Sequence, residues 1–319
     1  MAAQPGLLRD MTNHPVAVRA PGKINLSLRS GLADANGYHR LATVFQAVDL
    51  WEIVTVQDAE EITVQMRGAG ARRVPVDSTN LVVRAAHALL HHMHNEYGEV
   101  IERGALIQVE KQVPVAGGMG GGSADAAAAL LALTVLWDLP FTRDDLSRIG
   151  ASLGADVPFA LLGHTALGVG YGDVLSPVLA EGDWNWLLIE PGGGLSTPEI
   201  FRRFDAMVAA HTLTVDSEPQ PDAALLQALR AGDAHQLGRC LANDLQAPAF
   251  AAAPQLRDLV TAALKAGALG AVVSGSGPTI AVLGESMEHL KQLDSAIRAC
   301  HPVQRTHLVK GSAPGAHLL

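Results

Sequence analysis

The sequence predicts an α+β protein in which helices and strands pack in layers. Two observations indicate this class: helix-like and strand-like segments alternate along the chain, and a meander of strands opens its first half. The chain has 319 residues, which suggests two domains of ordinary size or one large domain. We favour two domains.

Composition limits the class of partner. Hydrophobic residues make up 48% of the chain and aromatic residues only 4%, so Ala, Val and Leu must form the core. A formal net charge of −9 argues against broad binding to nucleic acid or anionic membranes, but not against a small anionic ligand.

Two cysteines without metal-binding spacing fit a reducing cytoplasm. We expect no signal peptide in Met1–Pro15, and the apolar run Ala126–Trp137 is too short to span a bilayer.

The first half begins with strands and continues with a capped helix. The predicted strands are Val16–Ala20, Ile24–Arg29, Val44–Val48, Glu52–Gln57 and Ile62–Met66. Asp77-Ser78-Thr79-Asn80 predicts the cap of a helix that runs to about Asn95. On its polar face, His87, His91 and His94 have a spacing that would suit a metal. A solvated face explains them better, because no H-E-x-x-H pattern and no fourth ligand accompany them.

The central feature is the segment 114–124, in which five of the six positions from 117 to 122 are glycine. A predicted strand, Leu106–Glu110, precedes it, and the apolar run Ala126–Trp137, which we predict to be a buried helix, follows. Glycine permits positive φ and brings backbone N–H groups close to a ligand, and Ser123 is the expected N-cap of the helix. The segment therefore predicts an anion site, most plausibly for phosphate. Its residues are Pro114, Val115, Ala116, Gly117, Gly118, Met119, Gly120, Gly121, Gly122, Ser123 and Ala124.

Two common glycine-rich motifs do not fit this segment. A Walker A loop needs Gly-Lys-Ser/Thr, and the segment has no lysine. The Rossmann fingerprint needs glycine where Ser123 stands. A flexible linker of this composition rarely lies between a strand and a strong helix, so phosphate binding is favoured.

In the second half, helices alternate with a few strands. Composition changes over residues 171–185, where we place a boundary between domains 1–175 and 176–319. Thr142–Asp145 predicts the start of a helix ending near Leu153, before the boundary. The remaining predicted strands are Thr165–Gly170, Trp186–Glu190, Ala268–Val273, Thr279–Leu283 and Arg305–Val309, and the remaining helices are Pro198–Ala210, Asp222–Arg230, Ala234–Ala242, Pro254–Ala266 and Glu285–Cys300.

Asp156 and Lys23 are the candidate catalytic residues. Asp156 interrupts an apolar stretch, and a buried carboxylate needs a partner. Two roles remain equally open for it: the N-cap of a short helix beginning at Pro158, or a general base paired with a lysine. Lys23 follows a Pro-Gly turn, where a lysine is often only a surface charge.

Two further glycine loops, Ser274–Gly277 and Pro191–Pro198, join regular elements, and Thr197 is the expected N-cap of the helix after the second. Together with the segment 114–124 they suggest a cleft lined by backbone donors. That arrangement favours an enzyme that handles polyphosphate over a binding scaffold.

These motifs resemble those of the GHMP kinases, a family of small-molecule kinases. Segment 114–124 is similar to their ATP loop, P-x-x-x-G-L-G-G-G-S-S, with Met119 in place of Leu and Ala124 in place of the second Ser. Ser274–Gly277 resembles their C-terminal glycine motif. The resemblance implies a two-domain GHMP-kinase-like architecture. Each domain would be an α/β layer structure, with the active site in the cleft between them.

Four motifs resemble, more narrowly, a branch of the family that phosphorylates the 2-hydroxyl of a cytidine-diphosphate sugar alcohol in the non-mevalonate isoprenoid pathway. They occur in the expected order over most of the chain. The motifs are Pro21–Leu26, similar to P-A-K-[IL]-N-L with Gly22 for Ala; Gly37-Tyr38-His39, matching G-Y-H; Gly154–Phe159, matching G-A-D-V-P-F; and Thr197–Phe201, resembling T-P-x-[IV]-[FY].

The resemblance implies a role for each matched residue. Asp156 would take the proton of the accepting hydroxyl, while Lys23 would pair with Asp156 and offset charge on the transferring phosphoryl group. ATP would lie on the glycine segment, with Lys111 and Asn80 on the nucleotide side. Asn25 would orient the substrate. The other substrate-binding residues would be Tyr38 and Phe201, which sandwich the cytosine, His39, which reads its edge, and Thr197.

ATP and Mg²⁺ are the expected cofactors, since kinases of this kind nearly always use magnesium, and Ser123 is the expected protein ligand. The expected partner is a small molecule, and the protein a monomer or homodimer. One alternative is another GHMP kinase, of homoserine or mevalonate type, whose substrates have no base for Tyr38 and Phe201 to stack on. The other is a non-catalytic nucleotide sensor, which would have lost Asp156 or Lys23.

Overall fold

The structure is a computed structural model that describes residues 14–98 and 102–319. Residues 1–13, most of the stretch in which we expect no signal peptide, lie outside the described residues. No described helix has both the length and the apolar character needed to cross a membrane.

The described residues form helices and strands along the whole chain. The strands are β1 (Val16–Ala33), β2 (His39–Ala59), β3 (Ile62–Gly68), β4 (Gly104–Lys111), β5 (Thr165–Val169), β6 (Val174–Pro177), β7 (Asn185–Glu190), β8 (Ala242–Asn243), β9 (Gly270–Val273), β10 (Ile280–Gly284), β11 (Arg305–Lys310) and β12 (His317–Leu318). The helices are α1 (Leu81–Tyr97), α2 (Gly121–Leu136), α3 (Arg143–Leu153), α4 (Val157–Leu162), α5 (Thr197–Ala209), α6 (Ala223–Ala231), α7 (Ala234–Cys240), α8 (Gln246–Ala252), α9 (Gln255–Lys265) and α10 (Met287–Cys300).

The first sheet has the order β12-β1-β2-β4-β3, with β5 and β6 extending from β2 and β8 pairing with β1. Most of its pairs are antiparallel, whereas β3 pairs parallel with β4. One face packs against α1 to α4 through a core dominated by Ala, Val and Leu, as the composition predicts. The strands β8 and β12 come from beyond residue 176 yet pair with β1. The predicted domain boundary at 175/176 therefore does not coincide with the division between the two sheets, and it stays a prediction.

The predicted strands of the first meander are longer than expected. Val16–Ala20 and Ile24–Arg29 belong to the single strand β1, whose register against β2 shifts between Pro21 and Gly22. The turn signal at Pro21-Gly22 thus produces a bulge and not a break, because β2 continues to pair on both sides of it. Lys23 therefore lies next to the bulge in β1.

The second sheet has the order β11-β7-β10-β9 and is antiparallel throughout. Helices α5, α8, α9 and α10 cover one face. The other face packs with residues of β1 and β2 and with α6 and α7. The indole N–H of Trp186 donates to Gln46 Oε1 at 2.8 Å, a buried hydrogen bond that joins the two sheets. The sequence missed the short elements β6, β8, β12 and α8.

Two of the predicted helix N-caps are observed. Asn80 caps α1 by accepting the backbone N–H of Val82, and Thr142 and Asp145 form a reciprocal capping box on α3. His87, His91 and His94 are exposed on α1. The part of the chain that the structure describes contains no group of three or more His, Cys, Asp or Glu side chains that could hold a metal ion.

Candidate active site

The glycine segment connects β4 to the buried helix α2. The helix begins at Gly121 and its N-cap is Gly120, which has a left-handed φ of 69°. The prediction that Ser123 caps this helix is therefore wrong: Ser123 lies within its first turn, because Gly120 turns the chain into the helix earlier. The free N–H groups of that turn, next to a flexible glycine loop, still form the start of an anion site.

Position 118 has no room for a side chain. Its φ is 78°, and a Cβ there would overlap the carbonyl oxygen of Ser274 in the loop between β9 and β10. The hydroxyl of Ser274 donates back to the carbonyl of Gly118 at 3.2 Å. The two glycine motifs predicted to line one cleft are thus in direct contact.

Lys23 and Asp156 lie together beside this loop. The Nζ of Lys23 is 3.7 Å from Asp156 Oδ2, and the backbone N–H of Lys23 donates to Met119 O at 3.0 Å. Asp156 makes no side-chain cap on α4, so the capping role left open for it is not the observed one. Its side chain is 31% exposed and not buried as expected, which leaves a carboxylate oxygen accessible from a cleft.

A hydrogen-bond chain orients the lysine. Lys23 Nζ donates to Asn25 Oδ1 at 2.8 Å, Asn25 Nδ2 donates to Thr43 Oγ1 at 2.8 Å, and Thr43 donates to the carbonyl of Ser27 at 2.8 Å. Each donor and acceptor in this chain has a defined partner, so the Asn25 amide has one favoured orientation. Thr43 was not among the predicted site residues, and its place on a regular strand gave no signal for it.

Two cavities meet at the glycine loop, and both include Gly118 and Gly120 in their walls. The first, of about 390 Å³, is called here the nucleotide cavity; the second, of about 280 Å³, is called the substrate cavity. Both volumes lie within or close to the range of small-molecule sites. Predicted residues in the nucleotide cavity are Asn80, Lys111 and 114–122, and those in the substrate cavity are Lys23, Asn25, Asp156, Thr197 and Phe201.

Lys111 is buried between two carboxylates at the base of the nucleotide cavity. Its Nζ is 2.5 Å from Glu52 Oε1 and 2.6 Å from Asp125 Oδ2. Burial and then repulsion by Asp125 raise the pKa of Glu52 to about 8, and burial raises the pKa of Asp125 to about 6. Burial alone would lower the pKa of Lys111, but attraction to Asp125 and Glu52 outweighs it and raises that pKa. Neither carboxylate lies in a motif that predicts it as a partner of Lys111.

The predicted aromatic pair is arranged differently from expectation. Phe201 lines the substrate cavity, whereas Tyr38 and His39 are not among its lining residues. The ring of Phe201 stacks on that of His39 at 4.6 Å, and His39 Nε2 is bonded to Asp205 at 2.8 Å. Because Nε2 of His39 is already hydrogen-bonded to Asp205, that nitrogen is not free to bond the edge of a pyrimidine. Tyr38 is 65% exposed.

Thr197 and Tyr171 complete the wall of the substrate cavity. Thr197 is the first residue of α5 and does not cap it; its hydroxyl is 2.8 Å from that of Ser276 in the loop between β9 and β10. Tyr171 was missed: the Gly-Tyr-Gly-Asp sequence around it signals a turn, but that signal does not indicate a place in the cavity wall.

Two models of one protein family match this chain, one in each half. Residues 80–164 match the GHMP kinases N terminal domain, and residues 225–303 match the GHMP kinases C terminal model. This chain belongs to the GHMP kinase family. The predicted α+β GHMP architecture is confirmed.

Two curated relatives of this GHMP kinase carry the same name. A protein of Nocardia farcinica called 4-diphosphocytidyl-2-C-methyl-D-erythritol kinase is 44% identical over 96% of each chain. A protein of Thermobifida fusca with the same name is 44% identical over 94% of this chain and 97% of its own. The branch predicted from the four motifs is therefore confirmed.

Solved structures agree. The crystal structure of 4-(cytidine 5'-diphospho)-2C-methyl-D-erythritol kinase matches with a TM-score of 0.73 and 31% identity over 93% of this chain and 99% of that chain. Homoserine kinase from Cytophaga hutchinsonii matches with a TM-score of 0.71 at 20% identity over the whole of both chains. The second match shows a shared fold alone.

Proposed function

We propose that this GHMP kinase uses ATP to phosphorylate the 2-hydroxyl of 4-diphosphocytidyl-2-C-methyl-D-erythritol, giving the 2-phosphate and ADP in the non-mevalonate isoprenoid pathway. The observation that carries the proposal is the Lys23–Asp156 pair beside Gly120, where the two cavities meet. The relatives named for this substrate support the choice of acceptor.

The nucleotide cavity would hold ATP. Backbone N–H groups of the glycine loop and of the first turn of α2 would bind the phosphates, since a helix N-terminus favours negative charge. Asn80 and Lys111 line the same cavity and would lie on the base side. Both are already engaged, Asn80 as the cap of α1 and Lys111 with its carboxylates, so we assign them mainly to shaping the cavity.

Asp156 and Lys23 would act on the acceptor hydroxyl. Its oxygen forms a bond to the γ-phosphorus, the bond from that phosphorus to the β–γ bridging oxygen breaks, and the hydroxyl proton passes to Asp156 Oδ2. Lys23 would stabilise the negative charge that this exchange concentrates near Gly120. Phosphoryl transfer has a loose transition state, so positioning and charge stabilisation contribute more than strong base catalysis.

Ser123, in the first turn of α2, would be the protein ligand of a magnesium ion. A kinase magnesium ion takes most of its ligands from phosphates and water, which suits a chain whose described residues offer no acidic cluster. We assign Ser123 as a protein ligand: its Oγ lies 3.8 Å from where a Cβ would stand at Gly154, so it faces the loop carrying Asp156. The ion would neutralise charge on the β- and γ-phosphates.

The substrate cavity would receive the cytidine end of the acceptor near Phe201, because an aromatic face binds a flat base. Thr197 and Asn25 would supply polar contacts from the same cavity wall. Tyr38 and His39 would contribute by supporting the aromatic rings that line the cavity. We also propose a cytoplasmic location, consistent with the free thiols of Cys240 and Cys300.

The test is an assay of purified protein with ATP, Mg²⁺ and 4-diphosphocytidyl-2-C-methyl-D-erythritol, in which ADP and the 2-phosphate are identified by mass spectrometry. Mevalonate and homoserine serve as competing acceptors. Turnover of either acceptor in place of the cytidine compound would move the chain to another branch. ATP binding with no acceptor turned over would favour a non-catalytic sensor.

A further inference from the structure

Two turns next to the substrate cavity are tied together by one hydrogen bond. Tyr171 lies in the turn between β5 and β6, and Asp34 lies in the turn between β1 and β2. The hydroxyl of Tyr171 donates to Asp34 Oδ2 at 2.8 Å. The other oxygen of Asp34 accepts the backbone N–H groups of Asn36 at 2.8 Å and Tyr38 at 3.0 Å. Asp34 therefore organises its own turn with one oxygen and holds the neighbouring turn with the other.

Both turns contain glycines in the left-handed conformation. Gly37 lies in one, and Gly170 and Gly172 lie in the other, all with positive φ. Glycine turns are conformationally permissive, so a contact between them limits their motion more than it would between two strands. The bond from Tyr171 is the first cause of the lowered pKa of Asp34, and it raises the pKa of Tyr171.

The bond fixes an aromatic ring in the wall of the substrate cavity. Tyr171 lines that cavity together with Phe201, Lys23 and Asp156. Its ring also meets that of Tyr38 edge-on, with centroids 5.8 Å apart. Phe201, on α5, is held by a different contact, since its ring stacks on that of His39. The cavity thus has aromatic groups from both halves of the chain, each held by a separate contact.

We propose that Tyr171 is a specificity residue for the base-bearing acceptor and that Asp34 is the positioning residue that holds it. This inference rests on the proposed function, and it adds Tyr171 to the aromatic contacts that the motifs assign to Tyr38 and Phe201. A preordered ring costs less entropy on binding than a mobile one, so breaking the bond weakens acceptor binding. ATP binds on the other side of the glycine loop and is unaffected.

Kinetics of Tyr171→Phe test the hydrogen bond, because the ring stays while the hydroxyl is lost. We expect the KM for the cytidine acceptor to rise roughly 3- to 10-fold, as for loss of one partly exposed bond to a charged group. The KM for ATP and kcat should change by less than about 2-fold, since neither the nucleotide cavity nor Lys23–Asp156 is altered. Tyr171→Leu, which also removes the ring, should raise the acceptor KM by at least roughly 10-fold.

Two comparisons separate this role from a general effect on folding. Tyr97→Phe makes the same chemical change at an exposed tyrosine on α1 and should leave all constants unchanged. In an Asp34→Ala background, Tyr171→Phe should add less than about 2-fold, because the two groups act through one bond.

An unchanged acceptor KM in Tyr171→Phe, or an equal rise in the KM for ATP, would overturn this inference alone. Wild-type protein that does not phosphorylate the cytidine acceptor would overturn both it and the proposed function.

Discussion

The ammonium group of Lys23 lies 3.7 Å from the carboxylate of Asp156, and Gly120 packs against both. Each residue belongs to a different motif, and neither motif specifies the other locally. Their meeting point is also where the nucleotide cavity and the substrate cavity share a wall. A charge pair at that position is suited to transferring a phosphoryl group from one cavity to the other.

Replacing Asp156 by Asn should lower kcat by at least about 100-fold, the usual effect of removing a general base. The amide keeps the shape of the side chain, so ATP affinity measured by calorimetry should stay within a few-fold of wild type. Asp138→Asn is the matched control, because Asp138 is exposed with a φ of 53° that asparagine tolerates. Unchanged turnover in Asp156→Asn would remove that residue from the mechanism.

Replacing Lys23 by Met should lower kcat by roughly 100- to 1,000-fold, because a charge that stabilises the transition state is lost. Lys23→Arg should not restore activity. A Cβ at Gly120 would be 3.2 Å from Lys23 Cγ, and one at Gly275 would be 3.5 Å from Lys23 Nζ, so the loops leave little room for a guanidinium. The exposed Lys291 provides the control Lys291→Met. Full activity of the arginine variant would contradict the geometric argument.

Replacing Gly118 by Ala should destabilise the protein and weaken ATP binding together. The new Cβ meets the carbonyl of Ser274, and the φ of 78° is strained for alanine. Gly98→Ala isolates the second effect, since Gly98 has a φ of 68° but a Cβ there would meet no atom within 4 Å. Thermal unfolding should show a larger loss for Gly118→Ala than for Gly98→Ala. Equal losses would mean that the contact with Ser274 adds nothing.

Glu52 should make stability fall with rising pH. Its pKa is raised on folding from 4.5 to about 8, so the folded state holds the proton more tightly than the unfolded state. The free energy of unfolding contributed by this group is complete below pH ~4.5 and is lost as pH rises through ~8. Asp125, raised to about 6, adds to the fall in the lower part of that range. The raised pKa of Lys111 contributes stability across the whole interval and does not reverse the sign.

Glu52→Gln should flatten this pH dependence, because the amide cannot ionise. Urea unfolding at pH 5, 6.5 and 8 would measure the difference, which is at most about 1.4 kcal/mol per pH unit for one proton. The exposed Glu61 supplies the control Glu61→Gln, whose profile should follow wild type. Parallel profiles for Glu52→Gln and wild type would show that Glu52 is ionised in the folded protein.

Two helix N-caps were predicted correctly. Asn80 and Thr142 cap α1 and α3 where the sequence places them, because a cap and the N–H groups it accepts are separated by only two or three residues. Strand limits were less accurate. Pro21-Gly22 looks like a turn in isolation, and only pairing with β2 on both sides makes it a bulge.

Site residues divide in the same way. The glycine loop was identifiable from its own residues, and Lys23 and Asp156 were identifiable because each lies in a short motif that resembles one of the family. The partners Glu52, Thr43, Asp34 and Tyr171 were not, because each acts through a residue that is distant in sequence. Ser123 and Thr197 were wrongly expected to be caps, because the adjacent glycine or serine already turns the chain into the helix.

By itself, the sequence predicted the α+β class and the phosphate-binding character of segment 114–124, and the resemblance of its motifs to a known family implied the roles of Lys23 and Asp156. Only the tertiary structure decided that Lys23 faces Asp156, that Lys111 is held between two carboxylates, and that Tyr171 lines the substrate cavity where Tyr38 does not. Local conformation depends on neighbours within a few residues, which a sequence displays directly. Contacts between distant segments depend on how the sheets and helices pack, and no local pattern records that packing.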